Sequence, residues 1–113
     1  LSGIKHWRLQ RISAGILLFL IPWLLYELIL LYHSGGLKSD IISAWLADPF
    51  RGMVILVTLT ASLYHGQLGV EVIIEDYVPC PNKQKMTIRI SCGALILCWL
   101  FLCFAVVSNF YWY

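Results

Sequence analysis

The chain has 113 residues, of which 60% are hydrophobic and only 12% charged. A soluble domain carries about 25% charged residues, so a water-soluble globular enzyme is excluded as the first reading in favour of an integral membrane protein. A net charge of +2 is too small to point to nucleic acid, and five Trp with six Tyr suit membrane–water interfaces.

A spanning helix needs about 20 predominantly apolar residues. Three stretches satisfy this, at about 12–32, 52–74 and 88–112, and together they predict a single all-α membrane domain over 1–113. Gly35-Gly36 ends the first span. In the linker that follows, Ile42, Trp45 and Leu46 recur at helical spacing, which predicts a short amphipathic helix within 39–50, lying at the interface. Pro79 and Pro81 forbid continuation of the second span, and "EDYVPCPNKQKMTIR" reads as the second loop. Cys80, Cys92, Cys98 and Cys103 form no CxxC pair; the last three lie in the third span, where free Cys acts as a small hydrophobe.

Basic residues set the expected orientation. Lys5, Arg8 and Arg11 precede the first span, and Lys83, Lys85 and Arg89 lie in the second loop. The first loop offsets Lys38 and Arg51 with Asp40 and Asp48, and the closing "NFYWY" has no cation. The positive-inside rule therefore puts the N-terminus and the second loop on the cytoplasmic or matrix side. Glu27, near the outer end of the first span, is expected to snorkel.

The chemistry concentrates in "YHGQLGVEVIIEDYV", residues 64–78. At about 100° per residue, Thr58, Ser62, His65, Gly69, Val72 and Asp76 share an arc of about 80°. Ala61, Ser62 and Gly69 flank the histidine, and such small residues let a bulky group approach a helix. His65 falls roughly 20 Å along the second span from its outer end. An ionisable residue at that depth is a functional-site candidate by default. Haem ligation, proton relay and a hydrogen-bonded packing role all remain open for it. A six-coordinate haem needs two axial ligands, yet His6 and His33 lie at opposite ends of the first span. A second ligand would then come from another polypeptide. Gln67, Glu71, Tyr64 and Glu75 point to the other side of the same helix and are expected to contact partner chains.

"HGQLGVEVIIEDYV" resembles the signature of the small D-type membrane-anchor subunits of succinate dehydrogenase (respiratory complex II), in which Asp-Tyr follows the His, Asp by eleven residues; here these are His65, Gly69, Asp76 and Tyr77. "HWRLQRISA" is similar to that family's H-W-x-x-Q-R-x-[ST]-A, which opens the first helix. Val72, where the sister C-type anchor usually has a second His, and Tyr77 both favour the D type, of the alphaproteobacterial and mitochondrial branch. The resemblance implies that His65 is one axial ligand of haem b, with the sister anchor giving the other, and that Arg11 faces a haem propionate. It implies that Tyr77 hydrogen-bonds a ubiquinone carbonyl and that Asp76 orients nearby groups or delivers protons. It also implies flavoprotein and iron–sulfur subunits docked on the inner face, and a multi-pass location in a bacterial cytoplasmic or mitochondrial inner membrane. No flavin motif, iron–sulfur cysteine cluster or succinate site is apparent, so the chain is expected to be non-catalytic alone. The alternatives are a fumarate reductase anchor, a cofactor-free structural or assembly subunit, and a self-contained cytochrome.

Overall fold

The computed structural model describes residues 3–112 as four helices: α1 (Gly3–Gly35), α2 (Ser39–Leu46), α3 (Pro49–Tyr77) and α4 (Pro81–Trp112). Among the described residues there is no strand. α1, α3 and α4 are each long and apolar enough to cross a membrane, and α2 is the short amphipathic helix expected in the first linker.

The helices run further than the apolar runs that predicted them. At 1.5 Å per residue, α1 and α4 are each about 50 Å long, against a hydrocarbon core of about 30 Å. The second loop shrinks to residues 78–80. Polarity ends a membrane span but not a helix, and Lys, Gln and Met are good helix formers. What interrupts the helix is proline: Pro79 lies just past Tyr77, while Pro81 takes the first turn of α4, where a missing N–H costs nothing. Gln84 closes the turn, its amide Nε2 donating to the carbonyls of Glu75 (3.1 Å) and Val78. α1 ends as its glycines require. Gly36 adopts φ +84° and its N–H returns to the Tyr32 carbonyl at 2.9 Å.

The three spans form a row with α3 in the middle. α1 and α4 each pack against α3, and no Cα of α1 comes within 8 Å of one in α4. The result is a thin slab of 51 × 26 × 20 Å. Its buried apolar residues are few, namely Leu31, Leu68, Ile74 and Val106. Most of the large apolar side chains face outward, the inverse of a soluble domain and the arrangement a lipid solvent permits.

Specific contacts fix the packing. Gly52 is buried against the Phe110 ring, which a Cβ there would overlap. Trp99 Nε1 donates to Thr60 Oγ1 at 2.9 Å, joining α4 to α3. At the α2 end, Glu27 does not snorkel. Its carboxylate is largely covered and accepts from Arg51 Nε (3.2 Å) and Trp45 Nε1 (3.4 Å). The chain bends back over α1 through α2, so an acid that lipid would have driven outward finds a cation and an indole instead. Asn109 Nδ2 donates to the Ser43 carbonyl at 2.8 Å, fastening α4 to the same corner.

Candidate functional site

The site lies on the seam between α1 and α3. His6, Gln10 and Ser13 fall at i, i+4 and i+7, so α1 carries a polar stripe of its own on the face toward α3. Ser13 is 4% exposed. Its Oγ lies 2.8 Å from His65 Nδ1 and 3.0 Å from the Gln10 carbonyl oxygen. His65 itself is half-buried, and Ser13 is its only hydrogen-bond partner among the described residues. One turn on, Gly69 faces the same seam; the nearest atom to a Cβ built there is Gln10 Nε2 at 3.8 Å.

A second polar group crosses the bundle one to two turns nearer the basic end. His6 Nε2 stands 3.6 Å from Glu71 Oε2, within ion-pair reach but too far for a hydrogen bond. Gln67 Nε2 lies 3.3 Å from Glu71 Oε1 and 3.2 Å from Ser91 Oγ, and Ser91 Oγ donates to the Ile88 carbonyl at 2.9 Å. Side chains from α1, α3 and α4 thus join in one line. This corrects the expectation that Gln67 and Glu71 contact other polypeptides. Gln67 is 7% exposed within this chain. The reason is the row: α3 has a neighbour on both sides, so Gln67 and Glu71 find partners within the chain as His65 does. Tyr64 and Glu75 remain exposed.

Beside this line is a groove of about 320 Å³ lined by Gly3, His6, Trp7, Gln10, Val72 and Glu75. Gln10 Oε1 is buried there with no partner, a polar atom that costs stability unless something reaches it. A more apolar groove of about 380 Å³ opens on α1 and α3 near Ser13, lined also by Ile16, Leu56, Val57, Thr60, Ala61 and Tyr64.

The remaining sequence-picked residues lie apart from His65. Asp76 shares its helix face but stands about 16 Å further along the axis. Asp76 and Tyr77 occupy the last turn of α3, and Tyr77 is 81% exposed. Arg11 is exposed and stacks its guanidinium 5.5 Å over the Trp7 ring. Two residues from Ser13, it lies about 160° away around α1, so this chain does not bring it beside His65. His33 sits at the opposite end of α1, edge-on to the Tyr32 ring. The described cysteines are free, and no group of three or more His, Cys, Asp or Glu could hold a metal ion among the described residues. Ser13 stands in the motif "HWRLQRISA", which by itself assigns it no role. The signal that finds it is the His6, Gln10, Ser13 spacing, which mirrors the stripe on α3.

A metal-binding imidazole needs one ring nitrogen with a free lone pair and the other held as a donor. At His65 the Nδ1 side is taken by Ser13 Oγ at 2.8 Å, an arrangement that fits this requirement in the Nδ1–H tautomer, and its small neighbour Gly69 lies on the same face. The donor set within this chain is one nitrogen, half of what a six-coordinate haem takes.

Comparison with known proteins gives the family. Residues 2–107 match the family described as succinate dehydrogenase/fumarate reductase transmembrane subunit. The succinate dehydrogenase hydrophobic membrane anchor subunit of Rickettsia prowazekii is 36% identical over 110 residues, covering 97% of this chain and 83% of that one. Its counterpart in Rickettsia bellii is 41% identical over 92 residues, 80% of this chain and 69% of the relative. The succinate dehydrogenase membrane anchor subunit of Reclinomonas americana is 34% identical over 79 residues, 68% and 64% respectively. No solved structure matches the chain. Three apolar spans, a seam histidine and relatives of this kind lead to one conclusion: the chain belongs to the succinate dehydrogenase/fumarate reductase transmembrane subunit family.

Proposed function

We propose that this chain is the D-type anchor of a succinate:ubiquinone oxidoreductase. In this reading it holds the flavoprotein and iron–sulfur subunits to an inner membrane and shares haem b with a C-type anchor. It also builds part of the ubiquinone site. The observation that carries the reading is the His65 imidazole, held against Ser13 on a seam whose other histidine, His6, lies two turns nearer the basic end, against Glu71. Haem b, when bound, supplies a one-electron redox centre. The rest is the work of this chain's own groups.

His65 would hold the haem iron through Nε2, and the sister anchor would give the second ligand. Arg11, exposed on the outward face of α1, would pair with a haem propionate, since a guanidinium holds a carboxylate through two hydrogen bonds. The basic end faces the cytoplasm or matrix, where the catalytic subunits dock. There, reduction of ubiquinone to ubiquinol takes two electrons, from the iron–sulfur subunit, and two protons, from the aqueous phase. Tyr77 donates its phenolic hydrogen to a quinone carbonyl oxygen and stabilises the charge that develops on it. Asp76, its neighbour in sequence, holds and passes a proton at the same end. Relatives named for succinate dehydrogenase favour this direction over fumarate reduction.

The test is purification in mild detergent. A flavoprotein, an iron–sulfur protein and a second three-helix anchor are expected to accompany the chain, and finding none of them sinks the proposal. His65→Ala is expected to abolish the reduced-minus-oxidised haem spectrum. Tyr77→Phe is expected to lower quinone reduction about a hundredfold while leaving that spectrum intact.

A further inference from the structure

We propose that Ser13 is a positioning residue for His65: it fixes the imidazole in the tautomer that leaves Nε2 free to bind iron. The inference rests on the reading of His65 as a haem ligand and adds the group that orients it.

The argument is a count of hydrogens. A serine hydroxyl has one hydrogen and two lone pairs, while a carbonyl oxygen can only accept. Ser13 Oγ is within hydrogen-bond distance of both the Gln10 carbonyl and His65 Nδ1. Both contacts are hydrogen bonds only if Ser13 gives its hydrogen to Gln10 and accepts the second from Nδ1–H. A neutral imidazole carrying its proton on Nδ1 has its lone pair on Nε2. The opposite assignment would protonate Nε2, forbid ligation by the neutral ring and leave the short serine–carbonyl approach without a hydrogen.

The surroundings reinforce the count. Ser13 is 4% exposed, so water does not compete for its hydroxyl. The back-bond to the carbonyl three residues earlier fixes the Oγ rotamer. The serine belongs to α1 and the histidine to α3, so the imidazole angle is set by the packing of two helices and not by one rotamer alone. An acceptor on Nδ1–H also raises the basicity of the ligating nitrogen, and loss of such a partner typically costs 10- to 100-fold in metal affinity.

The experiment uses the intact complex carrying Ser13→Ala, Ser13→Thr or His65→Ala. It reads haem retained per flavin, haem midpoint potential and the low-spin g-values of the oxidised haem. Ser13→Ala is expected to lose haem roughly ten- to a hundredfold more readily on dilution. Its remaining haem should have a more positive potential, since a less basic ligand favours the reduced metal. Ser13→Thr keeps an oxygen in place and should restore both values, which a purely steric role for the serine would not require. If Ser13→Ala does not assemble, Ser13→Cys, nearly the same size but a weak acceptor, replaces it with the same expected shift. Unchanged retention and potential in Ser13→Ala, with haem lost in His65→Ala, would overturn the role of Ser13 alone. Haem retained in His65→Ala would overturn the ligand assignment and this proposal together.

Discussion

Gly69→Ala separates what this chain needs from what its bound partners need. Within the chain the change is harmless. A Cβ at residue 69 meets only Gln10 Nε2 at 3.8 Å, an ordinary contact, and Ala is about 1 kcal/mol better than Gly in a helix interior. The thermal midpoint of the detergent-solubilised complex should therefore hold or rise when haem is left out of the comparison. Haem occupancy should behave otherwise. If a large planar group lies over Gly69 beside His65, an added methyl overpacks that contact at a cost of about 1–3 kcal/mol. That is roughly a five- to 150-fold loss in affinity. Pyridine haemochrome content per flavin, followed through dilution, measures it. Gly93→Ala is the control, because its Cβ meets nothing within 4 Å and it lies on α4. Equal haem retention in the two variants would refute the reasoning, since the open side of Gly69 would then serve α1 packing alone.

Three further outcomes follow from the packing. Gln67→Glu places a second carboxylate at hydrogen-bond distance from Glu71, a repulsion of about 4 kcal/mol at 4 Å in a surrounding of effective dielectric 20. It should loosen α3 from α4, seen as a lower thermal midpoint of the detergent-solubilised complex, and adding Glu71→Gln should restore it. Glu27→Ala strips the acceptor shared by Arg51 and Trp45. Because Arg51 is partly exposed and keeps Asp48 at 3.9 Å, the expected loss is only about 1 kcal/mol. Pulsed EPR distances between α1 and α2 should broaden; an unchanged distribution would show that Glu27 does not hold that corner. Gly52→Ala should overlap the Phe110 ring and destabilise by about 1–3 kcal/mol, lowering the thermal midpoint, with Phe110→Leu as the compensating change.

The sequence made the spans readable because lipid writes its constraint into composition: about 20 apolar residues, with cations at one end. It made His65, Gly69 and Asp76 readable as a face because helical spacing needs no tertiary information. Four things were not readable. The length of the helices beyond the bilayer was hidden because Lys83, Gln84 and Lys85 look like loop in a hydropathy scan yet favour helix. The fate of Glu27 was hidden because its partners come from α2 and α3, 18 and 24 residues away. The partners of Gln67 and Glu71 were hidden because a single amphipathic helix has one covered face, and only the order of the helices in space reveals that α3 has two. Ser13 stood in plain view, but its meaning needed the 2.8 Å distance to a ring 52 residues on.

The row of helices also bears on how the chain enters a membrane. The mean hydropathy of α3 in its most apolar stretch is 1.4, against 2.3 for α1 and 2.6 for α4. The middle place thus goes to the span that lipid would accept least readily by itself. During synthesis α1 emerges first, with His6, Gln10 and Ser13 facing no partner, and α3 follows with the groups that answer them. The polar side chains that make α3 useful also make it dependent on its flanks, so a defect in either outer helix would be felt first as failure to keep α3 in the bilayer.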